Sequence, residues 1–133
     1  PALPAFARAI RLLTFGGNPL TCASALAALS VMGEEELPRQ AAEKGAYLLQ
    51  KLKAIPSPLI REVRGMGLMV GIELKQKAAP YLKALQEKHV IALNAGLNVI
   101  RLLPPLVISY EQLDQVVAAL EDVLVKDSAE TAG

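Results

Sequence analysis

The sequence predicts an α+β fold of two layers, a small and mostly antiparallel sheet with helices on one face, preceded by a buried connecting helix. Three observations carry this. Short apolar or alternating stretches at residues 60–64, 68–74, 90–93 and 98–103 come in pairs, each pair joined by a glycine-containing turn. Single helical patterns, with apolar residues three and four apart, stand before, between and after those pairs. Residues 20–32 are apolar on nearly all faces, the pattern of a helix covered on several sides.

The elements follow in order. Residues 14–18, Thr-Phe-Gly-Gly-Asn, form a turn-rich loop, and Asn18-Pro19 reads as an N-cap followed by the first helical residue, where proline's missing N–H costs nothing. Gly33 offers a left-handed stop to the helix that starts there. After Glu34, Glu35 and Glu36, the positions Leu37, Ala41, Gly45, Leu48, Leu52 and Ile55 mark one stripe of a second, amphipathic helix. Pro56 and Pro58 break it, and two strands then meet at Gly65-Met66-Gly67. Residues 77–88 return to helical spacing with Pro80 near the first turn, and two short strands surround Asn94-Ala95-Gly96. Pro104 and Pro105 end the last strand. Ser109 with Gln112 three residues on forms a capping box, and Leu113, Val116, Val117, Leu120 and Leu124 line one face of the final helix. The boundaries expected are a leading part over residues 1–33, an α/β unit over 34–126, and a small, polar, disordered tail over 127–133.

Composition excludes several functions. The 133 residues carry 14 Lys and Arg against 13 Asp and Glu, and no basic block, so nucleic acid is not an expected partner. No apolar run reaches the roughly 20 residues that span a bilayer, so no membrane partner is expected. Cys22 stands alone, which excludes an internal disulfide, fits a reducing cytoplasmic setting and reads as core; one Cys with one His makes no four-ligand zinc site. A mean hydropathy of +0.35 is high for so small a globule, and the chain opens Pro1-Ala2-Leu3 without an initiator Met. The expectation is a part of something larger, with apolar surface meant for a partner.

Candidate chemistry is sparse. Gly65-Met66-Gly67 reads as a strand turn, matching neither a P-loop nor a dinucleotide fingerprint. Thr14 and the glycines Gly16 and Gly17 precede a helix N-terminus, an arrangement that suits either a phosphate or a plain capping loop. Arg101 is the sharpest single residue. It sits within the apolar run 99–103, and its guanidinium needs an anion: a protein carboxylate, exposure by snorkelling, or a substrate carboxylate gripped bidentately. Arg61 and Arg64 read as solvated or structurally paired, Glu73 as a pairing residue and His89 as a helix-closing one.

In combination, Thr14-Phe-Gly-Gly-Asn-Pro-Leu20 before an Ala-rich helix, the run 60–74 (IREVRGMGLMVGIEL) and the run 99–108 (VIRLLPPLVI) resemble the carboxy-terminal part of class III pyridoxal-phosphate aminotransferases, most closely the acetylornithine and LysW-lysine branch. The resemblance implies a fold-type I transferase in which residues 1–33 end the large cofactor domain and 34–126 form the small carboxy-terminal domain. It implies that Thr14 binds the phosphate of pyridoxal 5'-phosphate across a homodimer interface, that Gly16, Gly17 and Asn18 shape that loop, and that Arg101 holds the substrate α-carboxylate. The family's cofactor-binding lysine lies upstream of this segment, and none of the chain's lysines sits in that motif. The chain alone is therefore expected to be an inactive part of an enzyme that moves a terminal amino group from an acylated ornithine- or lysine-type substrate to 2-oxoglutarate, in arginine or lysine biosynthesis. The alternatives are a non-catalytic oligomerisation module, and the same domain of a 4-aminobutyrate or ornithine aminotransferase, a decarboxylase or an aminomutase.

Overall fold

The computed structural model describes residues 17–130, and the chain divides into two units, residues 1–36 and 37–133. The first contains helix α1 (Pro19–Glu34). Its N-cap, Asn18, is extended at φ −71° and ψ 149°, its side-chain oxygen accepts the Thr21 N–H at 3.0 Å, and Pro19 opens the helix. The helix passes through Gly33, which takes no left-handed stop; the positive φ falls on Glu36, at 49°. No α1 residue is buried: Leu20 is 77% exposed, and Cys22 is exposed rather than core. The burial expected of this helix is not met within its unit, where α1 is the one described element.

The second unit holds α2 (Leu37–Lys53), β1 (Ile60–Met66), β2 (Met69–Leu74), α3 (Ala79–Glu87), β3 (Leu93–Asn94), β4 (Val99–Leu102) and α4 (Tyr110–Glu130). The strands pair antiparallel throughout, in the order β1-β2-β4-β3. Strand residues alternate between two faces. Val63, Val70, Ile72, Leu74, Ile100 and Leu102 are buried with Leu48 and Leu52 of α2, Leu85 of α3, and Leu113, Leu120 and Leu124 of α4, making one core between the sheet and the helices. The other face of the sheet carries no helix of this unit, and Arg101 lies on it.

Two local features set the sheet's position. Gly45 of α2 touches the β1–β2 turn so closely that a Cβ on it would lie 2.1 Å from the Gly67 carbonyl oxygen, and Gly67 turns the hairpin at φ +53°. That contact presses α2 onto the hairpin with no side chain between. At the other edge, β3 is two residues long, although alternation predicts a strand over 90–93. The His89 N–H donates to the Gln86 carbonyl at 3.0 Å and the Val90 N–H to the Leu85 carbonyl at 2.9 Å, with His89 at φ 61°. Closing α3 thus uses the backbone that would have begun the strand.

The capping box of α4 forms as expected: the Ser109 N–H donates to Gln112 Oε1 at 3.0 Å, and the Gln112 N–H to Ser109 Oγ at 3.2 Å. The helix then runs to Glu130, past the start of the expected tail at 127, since Lys, Ala and Glu sustain it and no Gly or Pro interrupts. No helix among the described residues is long and apolar enough to cross a membrane.

Candidate active site

Arg101 sits in the middle of β4, with Ile100 at 0% and Leu102 at 4% exposure on either side of it. Those neighbours face the core, so Arg101 and Val99 project from the helix-free face. The strand register places Arg64, Gly71, Arg101 and Leu93 in one row across all four strands. Position 71, directly opposite Arg101, carries no side chain, and the row has a gap there.

The Arg101 Nε is buried without a hydrogen-bond partner, alone in this among the side-chain nitrogens and oxygens of the described residues. No described carboxylate forms an ion pair with Arg101. A buried donor left unpaired costs about 1–3 kcal/mol, which makes Arg101 the candidate ligand-binding group among the described residues. Two clefts meet at Arg101. One, of about 470 Å³, lies over Gly71 between Arg64, Met66, Met69 and Val99. The other, of about 750 Å³, opens toward Leu93, Leu103, Pro104, His89 and Gln112. Neither contains an acidic side chain, so both are electropositive around the guanidinium.

Carboxylates do stand nearby on the same face, already engaged. Glu73, at 19% side-chain exposure, accepts from Arg61 Nη1 at 3.0 Å on one oxygen and from Arg64 Nη1 at 2.8 Å on the other. Arg64 Nη1 also donates to Glu62 at 2.7 Å. The bond from Arg64, and then that from Arg61, hold the Glu73 carboxyl below its ordinary range. Counting this face, three guanidiniums meet two carboxylates, and the excess positive charge is that of Arg101. Sequence reasoning found Arg101, read Arg61 and Arg64 as solvated or structurally paired and Glu73 as a pairing residue, and missed the bare row position at Gly71, which register alone reveals.

The other predicted residues lie in the first unit. Thr14 and Gly16 fall outside the described residues. Gly17 is exposed at φ +88°, with nothing within 4 Å of where a Cβ would stand, so the approach to the backbone there is open. The helix end itself has little left to offer an anion. Asn18 Oδ1 takes the Thr21 N–H, the Asn18 carbonyl takes the Cys22 N–H at 3.0 Å, and Pro19 has none, leaving the N–H of Leu20. Among the described residues no group of three His, Cys, Asp or Glu side chains could hold a metal.

The second unit thus presents an antiparallel sheet with, on one face, an arginine whose Nε has no partner. Residues 6–124 match the family "Aminotransferase class-III", and the chain belongs to that family. It is 59% identical over 112 residues, 84% of its length, to a [LysW]-aminoadipate semialdehyde transaminase of Deinococcus radiodurans. It is 51% identical over 111 residues, again 84% of its length, to an ornithine aminotransferase of an Exiguobacterium species. The chain spans 26% and 28% of the lengths of these two relatives. Among solved structures it matches an acetylornithine aminotransferase from Elizabethkingia anophelis at a TM-score of 0.81 and 37% identity, over 86% of this chain and 32% of that one.

Proposed function

We propose that this chain is the substrate-carboxylate domain of a pyridoxal-phosphate-dependent aminotransferase that transfers the terminal amino group of an acylated ornithine- or lysine-type substrate to 2-oxoglutarate. The observation that carries the reading is Arg101, a buried guanidinium nitrogen without a partner, beside two clefts free of acidic side chains. A carboxylate satisfies it with a charge-assisted, bidentate pair, and both the amino donor and the oxo acceptor of such a reaction carry one. The relatives' names support the substrate class, since ornithine, acetylornithine and [LysW]-aminoadipate semialdehyde transaminases are all among them.

When bound, pyridoxal phosphate supplies the electron sink for amino-group transfer. This chain's part is to bind and orient. Thr14, with Gly16, Gly17 and Asn18 shaping the loop, contacts the cofactor phosphate across a homodimer interface. Arg101 fixes the substrate carboxylate and with it the direction in which the amine is presented. The cofactor-binding lysine comes from polypeptide that corresponds to the upstream part of the relatives.

The test is reconstitution. Co-expressed with the upstream three quarters of the Deinococcus relative, the chain is expected to yield transamination between an ornithine-type amine and 2-oxoglutarate. Arg101→Gln is expected to raise KM for donor and acceptor alike by at least about tenfold, the loss of a charge-assisted pair. An active complex whose two KM values are indifferent to Arg101→Gln refutes the assignment.

A further inference from the structure

We infer that Arg61 and Arg64 are positioning residues: they hold the Glu73 carboxylate away from Arg101 and so keep Arg101 open for the ligand. The inference rests on the carboxylate-binding reading of Arg101 given above.

The geometry is that of an antiparallel face. Gly71 is directly opposite Arg101 and Glu73 pairs with Val99, which makes Glu73 a diagonal neighbour of Arg101 on the same side of the sheet. Diagonal neighbours stand about 7–8 Å apart, within reach of long side chains. Gly71 places no side chain in the path. Left to itself, the Glu73 carboxylate would be the nearest internal anion for an unpaired guanidinium, and pairing would satisfy Arg101 Nε at the expense of any incoming carboxylate. Instead each Glu73 oxygen is taken by a different arginine of β1, Oε1 by Arg61 and Oε2 by Arg64.

The sequence arranges this by a local irregularity. The register of β1 on β2 shifts between Ile60 and Glu62, so that β1 carries one extra residue, Arg61, at that point. The extra residue brings a second arginine to Glu73 from a strand that regular alternation would give only one. Arg64 borders the cleft, and its Nη1 is engaged there by Glu62 as well as by Glu73. Arg61, Glu62, Arg64 and Glu73 together are neutral, and the cleft receives the charge of Arg101 undiminished.

The test is a double-mutant cycle on the full 133-residue chain, following the Arg101 Nε–Hε resonance by NMR during titration with propionate. Expected is a propionate-dependent shift in the unaltered chain. The variant R61Q/R64Q should bind propionate about fivefold more weakly, the size of a competing partly exposed ion pair. Its Arg101 resonance should stand near the carboxylate-bound position before propionate is added. E73Q alone should tighten binding less than about twofold, whereas E73Q added to R61Q/R64Q should recover the whole loss. Equal effects of E73Q in the two backgrounds would mean that these charges act only through their field, and would overturn the inference. An Arg101 resonance in the unaltered chain that ignores propionate would overturn the carboxylate reading itself, which separates the two failures.

Discussion

At the scale of single residues, Arg101 shows how a binding group can be read from a deficit. A protein that needed this arginine only for its fold would have supplied an acid, and Glu73 is one diagonal away. The deficit was half legible in the sequence. An arginine inside the run 99–103 announces that it needs an anion, but whether a protein carboxylate answers depends on register, which places Gly71 opposite it and gives Glu73 to two other arginines. Because the grip relies on the guanidinium's planar fork, Arg101→Lys, which keeps the charge and loses the fork, is expected to weaken propionate binding about tenfold. Isothermal titration of the two chains checks this; equal affinities would reduce the site to a point charge.

At the scale of elements, the sequence was most informative where one local interaction dominates and least where two compete. The Ser109–Gln112 box needs nothing beyond its own turn, and α4 begins where it should. Residues 90–93 alternate as a strand, yet closure of α3 by His89 and Val90 takes those backbone groups first, leaving a two-residue β3. Helix α1 was legible as a helix from Asn18-Pro19, while its burial depends on surfaces its own unit does not contain. The contact of α2 with the hairpin at Gly45 leaves no room for a side chain. Gly45→Ala is expected to destabilise the chain by about 3 kcal/mol, since its Cβ would meet backbone at Gly67 rather than a side chain that can turn away. Urea unfolding measures it, and a loss below about 1 kcal/mol would show that α2 can lift off the turn without cost.

At the scale of the whole molecule, a few ionic contacts on the surface tie distant segments together and make the fold sensitive to acid. Asp114 of α4 is held by the Tyr47 hydroxyl of α2 at 2.7 Å and by Lys51, Asp122 of α4 by Lys126 and Lys88, and Glu73 of β2 by the arginines of β1. Each carboxyl lies below its ordinary range: Asp114 through Tyr47 first and then Lys51, Asp122 through Lys126 and Lys88, and Glu73 through Arg64 and Arg61. A lowered folded value means that the stabilisation is complete above the unfolded carboxyl range, near pH 4, and is lost as pH falls through the folded values. The urea midpoint is therefore expected to be flat from about pH 7 to 5 and to fall below about pH 4. D122N should flatten part of that fall, and an unchanged acid limb would show that its two lysines hold it no better in the fold than out of it.

The claim on which the functional reading turns is that Arg101 is kept unpaired for a carboxylate from outside, and stability measured with and without propionate addresses it directly. Removing a buried unsatisfied donor while keeping the length of the side chain should make Arg101→Met more stable than the unaltered chain by about 1 kcal/mol when no carboxylate is present. Propionate should then stabilise the unaltered chain in proportion to the logarithm of its concentration and leave Arg101→Met unmoved. A less stable Arg101→Met, together with an unaltered chain that propionate does not stabilise, would show that Arg101 serves the fold and would contradict the account.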